Sequence, residues 1–139
     1  MSAAGGMPQT QRDAEGGSYE SLAGYSRGVR IGPRIAVSGT TARGDAIALD
    51  THGQMLDCLQ RIVASVERLG GRREEILRTR VFLAPTADWE QAAEGHRELL
   101  GDVAPANTML FVARLIGEGL LVEVEADAEI GRWEPPGDR

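Results

Sequence analysis

The stretch LLVEVEADAEI at 120–130 decides the fold. Leu120, Val122, Val124, Ala126, Ala128 and Ile130 alternate with Leu121, Glu123, Glu125, Asp127 and Glu129, so an extended chain places an apolar set on one face and acids on the other. Such a strand needs a cover for the first face and partners for the second. Carboxylates in a period-two row repel one another in a dry layer unless cations answer them or water reaches them. Arg78, Arg80 and Arg114 are the candidate partners.

Two amphipathic runs can supply the cover. From Asp50 or Thr51 to Gly70-Gly71, Met55, Leu59, Ile62, Val66 and Leu69 recur at steps of three and four and define one buried helical stripe. Thr51 and Gln54 have capping-box spacing at its start. Cys58 lies beside the stripe and reads as a small buried hydrophobe, with a reactive thiol as the alternative. A second helix is predicted over 88–100 with Asp88 as its cap, and Trp89, Ala92, Ala93, His96, Leu99 and Leu100 on one broad side. His96, like His52, reads first as a hydrogen-bonded helix histidine and second as a ligand or acid–base group.

Working outward, Ser26–Ile31, the turn Gly32-Pro33 and Arg34–Ser38 read as a hairpin. TTARGDAIAL at 40–49 offers a turn and a further short strand. Strands are predicted at 77–84, ended by Pro85, and at 108–112. Helices on one side of a mixed or mostly antiparallel sheet make an α+β layer. The organisation expected is a flexible leader at 1–17, one domain at 18–131 and a short tail at 132–139.

The bulk properties narrow the function. The chain has 139 residues, enough for one ordinary domain and its core. One cysteine allows no intrachain disulfide, and two histidines in unrelated contexts favour no metal site. No cofactor is expected, since neither GxGxxG nor a Walker pattern is present. A net charge of −6, with all 15 basic residues arginine, disfavours a broad nucleic-acid surface. The start has no secretory pattern and no stretch is long and apolar enough to span a bilayer, so the expectation is a cytoplasmic protein without membrane contact.

Five segments in order, GYSRGVRIGPRIAVSGTT at 24–41, LGG at 69–71, ILRTRVFLAPTADW at 76–89, PANTMLFVARL at 105–115 and LLVEVEADAEI at 120–130, resemble the RidA (YjgF/YER057c/UK114) family. The resemblance covers nearly the whole domain. It implies a chorismate-mutase-like α+β fold, a homotrimer with sheets facing inward, small-molecule clefts between subunits, and hydrolysis of reactive enamines or imines to 2-keto acids and ammonia. Tyr25 and Ser38 match the family's cleft tyrosine and serine, and Glu123 matches its water-activating glutamate. Ala93 falls where a cleft asparagine is common. Arg114 has a family-like place after a strand and suits an anion or an intersubunit pair.

Asn107 falls where catalytic members carry arginine, which makes this chain a divergent member. Arginine clamps a carboxylate with a charged, planar fork, whereas asparagine offers two donors and no charge. Two functions follow: an imine or enamine hydrolase with altered substrate range, Glu123 being catalytic and Tyr25, Ser38, Asn107 and Arg114 binding, or a non-catalytic trimeric metabolite-binding or regulatory protein. Ribonuclease action, claimed for some members, fits the acidic balance worst. The competing structural roles are interface packing for Tyr25, local backbone satisfaction for Ser38, and arginine pairing for Glu123 and Glu125.

Overall fold

The helical stripe closes on the apolar face of the last strand. In the computed structural model, which describes residues 9–131, Met55, Leu59, Ile62 and Val66 are fully buried, as are Val122 and Val124. Each such side chain contributes roughly 1.5–3 kcal/mol by leaving water. Ala126 and Ala128 complete the strand's buried side. Cys58 is fully buried in the same core, and burial pushes its thiol up to about 12, so it packs as a hydrophobe.

The elements are β1 (Thr10–Asp13), α1 (Ser18–Ala23), β2 (Gly28–Ile31), β3 (Arg34–Thr41), α2 (Thr51–Arg68), β4 (Ile76–Leu83), α3 (Trp89–Leu100), β5 (Ala106–Phe111) and β6 (Val122–Glu129). They form one six-stranded sheet in the order β1-β2-β3-β6-β4-β5. Only the β4–β5 pairing is parallel; the other four are antiparallel. The two long helices, α2 and α3, pack on one face, which is the α+β layer the alternating strand demanded.

Several expectations are corrected. The leader read over 1–17 holds a strand: Thr10–Asp13 pairs antiparallel with Gly28–Ile31, and Asp13 is buried. Residues 1–8 and the tail at 132–139 lie outside the described residues. The segment after Gly39 forms no extra strand but continues β3 to Thr41 and then makes a 3-10 turn at Gly44–Ala48. The cap of α2 is Asp50, whose carboxylate accepts from Gly53 N at 2.9 Å, and not a Thr51–Gln54 box. Thr51 instead accepts from Asp88 N at 3.0 Å and joins the starts of α2 and α3. Trp89, assigned to the packed side of α3, is 54% exposed.

Gln54 explains the failed box. It is fully buried, donates to the carbonyls of Ile47 (3.0 Å) and Gly119 (2.9 Å), and accepts from Leu121 N at 2.9 Å. A buried amide must satisfy its polar atoms. Here that requirement ties two irregular segments to α2 and sets the entry of β6.

Candidate functional site

β3 carries an irregularity where it passes β6. Val37 stands opposite Ala126 and Thr40 opposite Val124, with the register shifting between them, so Ser38 and Gly39 form a bulge. Arg27, only 7% exposed, holds it: one guanidinium nitrogen donates to the carbonyls of Ser38 (2.8 Å) and Gly39 (2.6 Å). The Ser38 hydroxyl donates to the carbonyl of Ser26 at 2.7 Å. The local backbone role anticipated for Ser38 is therefore present.

Tyr25 reaches this region by a helix stop. Gly24 takes the left-handed conformation, φ 74°, and its N–H and that of Tyr25 both bond the carbonyl of Glu20. Tyr25 is 39% exposed and sits next to Ser26, whose carbonyl receives the Ser38 hydroxyl.

Glu123 projects from β6 toward the bulge. An ideal β-carbon on Gly39 would collide with its carboxylate, so the missing side chain is what admits it. The half-buried carboxyl is pushed above its ordinary pKa, chiefly by desolvation, with Glu125 adding to the rise and Arg27 opposing it. A carboxylate made more basic in a water-limited niche can take a proton from water.

Asn107 belongs elsewhere. In the parallel β4–β5 ladder it stands beside Thr79, which is fully buried, and its amide donates to the Thr79 hydroxyl at 3.0 Å. The same hydroxyl lies 2.8 Å from Nε2 of His96 on α3. Asn107 therefore points to the helix side of the sheet. Glu123, opposite Phe82, points to the other side. The chain brings Tyr25, Ser38 and Glu123 to one region and holds Asn107 on the reverse face, with β4 between.

The arginines differ in what they bind. Arg80 pairs with Glu125 and Asp127, both at 3.3 Å, so one of the three candidate partners answers the acid row. Arg78 and Arg114 are exposed and, among the described residues, pair with no carboxylate. Arg27 is not among the three candidate cations that the sequence offers the acid row. Its carbonyl contacts show a supporting role that no local pattern announced.

His52, Glu94 and Glu98 offer ligand atoms within 4.8 Å of one another at the α2–α3 surface. His52 already binds Glu98 at 3.0 Å, and that contact raises its pKa. An ion pair accounts for the grouping.

With this geometry in place, the comparisons are specific. The family model described as Endoribonuclease L-PSP matches residues 17–130. The chain belongs to that family. An uncharacterized protein of Streptomyces coelicolor is 34% identical over 124 residues, 87% of this chain and 92% of that protein. A Mycobacterium tuberculosis member of the YjgF/YER057c/UK114 family is 38% identical with a TM-score of 0.81, covering 88% of this chain and all of the other (100%). The YjgF gene product of E. coli gives 25% identity and a TM-score of 0.68 over 85% and 91%. Membership in this RidA-like family agrees with the resemblance carried by the five segments. Among the described residues no helix is long and apolar enough to cross a membrane.

Proposed function

We propose that this protein works as a homotrimer whose cleft joins the Tyr25–Ser38–Glu123 side of one subunit to the Asn107 side of the next, and that it hydrolyses an enamine or imine there. One observation carries the proposal: the two groups of site residues lie on opposite faces of one sheet, so only a neighbouring copy can bring them together. The face away from the helices is suited to assembly. It exposes Ile31, Leu77 and Leu110, and a depression of about 350 Å³ lined by Val29, Ile35, Ala36 and Leu77 sits beside the acid row.

Glu123 is the general base in this scheme. It takes a proton from water as the oxygen adds to the imine carbon and passes it to the nitrogen; the carbinolamine hydroxyl then gives up its proton to the departing nitrogen as the carbon–nitrogen bond breaks, leaving a carbonyl compound and ammonia. Tyr25 and Ser38 orient the substrate, and Arg114 is a further ligand contact. Asn107, in place of the family's arginine, alters the substrate range. The family description, Endoribonuclease L-PSP, speaks of ribonuclease action, but a net charge of −6 opposes a polyanion.

The test is ammonia and carbonyl release from a panel of freshly generated imines. Catalysis above background that is lost in Glu123→Gln is the expected result; equal rates with and without protein sink it. The second function, a trimeric binder without turnover, is favoured by the prior commitment of Arg27 and Arg80, the arginines nearest Glu123 and Glu125, to carbonyls and to the acid row. It predicts ligand-dependent thermal stabilisation, weakened by Tyr25→Phe or Asn107→Ala, with no product.

A further inference from the structure

The Asn107–Thr79–His96 contacts have a direction. The Asn107 amide nitrogen can only donate, and it donates to the Thr79 oxygen at 3.0 Å. With one lone pair so used, the Thr79 hydroxyl can give its own hydrogen to Nε2 of His96, 2.8 Å away. We take this direction, which a neutral His96 with its proton on Nδ1 accepts. Burial, which lowers the His96 pKa, acts to the same end.

This chain fixes the exposed asparagine. One N–H is spent inward on a fully buried threonine, so Oδ1 and the second N–H are the groups left for a ligand. Donation from the amide nitrogen also strengthens Oδ1 as an acceptor. An ionised carboxylate brings only acceptors and would meet Oδ1 lone pair against lone pair.

The charges on the other half point the same way. Glu123 is an acid, and the arginines nearest to it are engaged: Arg27 with two carbonyls and Arg80 with Glu125 and Asp127. Arg78 lies four residues along β4 from Phe82, the partner of Glu123, which is about 13 Å at the usual strand rise. Arg114, beyond the end of β5, is exposed and pairs with no carboxylate among the described residues, so it is the cation to test.

We propose that Asn107 selects an uncharged group with paired donor and acceptor, a primary carboxamide, and that the cleft discriminates against the corresponding carboxylate. A carboxamide donates to Oδ1 and accepts from the free N–H, a two-point match that the Thr79 anchor keeps in register. This specificity rests on the two-subunit cleft proposed above.

Pyruvamide and pyruvate, which differ in that one group, are the probes. Calorimetry on the full-length protein is expected to show pyruvamide binding about tenfold or more tightly, the size of one matched against one mismatched hydrogen-bond pair. Thr79→Val removes the anchor and levels the two affinities, Thr79→Ser restores the preference, and Asn107→Arg reverses it. Pyruvate binding as tightly as pyruvamide, with or without dependence on Arg114→Ala, overturns the proposal, and so does failure of both probes to bind. Sedimentation and the imine panel on the same samples separate the two levels: a trimer with Glu123-dependent turnover keeps the cleft while the amide specificity falls, and a monomer removes both.

Discussion

The carboxylate of Glu123 occupies the space that a side chain on residue 39 would need. The glycine is therefore a steric condition for the acid's position and not a requirement of backbone angle. The obstacle is the far end of a flexible side chain, so Gly39→Ala is expected to expel the carboxylate and leave the fold, at a cost below about 1 kcal/mol. Gly28→Ala is the contrast. There a β-carbon meets Ser65 Oγ at 2.7 Å and Leu69 Cδ1 at 2.9 Å, inside the core, and the cost rises to about 1–3 kcal/mol. Denaturant melts of both variants check the order.

Glu123 also sets a pH signature. Its folded pKa is raised, mainly by burial, so the folded state binds its proton more tightly than the unfolded chain does. Stability contributed by this group is full below the unfolded pKa and falls as pH rises through the folded one. Glu123→Gln is expected to raise the melting temperature relative to the parent near pH 7 and to lose that advantage near pH 4. A pH-independent difference contradicts the assignment.

Asp13 has the opposite sign. Arg68 donates to both its oxygens at 2.8 Å and Ser65 donates at 2.7 Å, and the Arg68 bonds foremost hold its carboxyl below the ordinary range. Its stabilisation is present above the unfolded pKa and disappears as pH falls through the folded one. Arg68 is half-exposed, so Asp13→Ala is expected to cost about 1–2 kcal/mol, with the amides of β1 and the facing β2 losing exchange protection first. Uniform loss across the sheet, or none, counts against the Asp13–Arg68 bonds as what orders β1.

How much of this was legible follows from which residues speak locally. The alternation at 120–130 and the Met55–Val66 stripe needed no knowledge of partners, and both faces they define are those observed. β1 was missed because TQRD has no apolar residue; its order comes from a distant arginine. Gln54 was read as a cap because its spacing allowed one, but its amide is used by loops that are neighbours only in space. The side of the sheet taken by Asn107 depends on parallel pairing with Thr79, and nothing in PANTMLF fixes that register. Arg27 lies in a recognisable segment, yet its role follows from a bulge that single residues do not announce.

His96 gives a third titration. Burial lowers its folded pKa, so the folded state holds fewer protons and stability declines as pH drops below the ordinary histidine value near 6.5. His96→Gln keeps a hydrogen-bonding group for Thr79 but cannot titrate. The parent is expected to lose stability relative to this variant between about pH 7 and pH 5. Proton NMR titration of the ring locates the midpoint, and one at or above 6.5 overturns the proton assignment along the Asn107–Thr79–His96 chain.

Arg80 tests the sheet face itself. It is the cation bridging Glu125 and Asp127, and all three side chains are about two-fifths exposed in the single chain (41%, 37% and 39%). In an isolated subunit such a solvated pair is worth about 0–1 kcal/mol, so Arg80→Ala should barely move monomer stability. If copies pack through this face, the variant must desolvate two acids without their cation, and association should recover only when those acids are protonated. Sedimentation over a concentration series is expected to show a dissociation constant raised about tenfold or more at pH 7, with partial recovery near pH 4. An unchanged assembly at pH 7 places the acid row outside the interface and removes the route by which Glu123 and Asn107 are brought together.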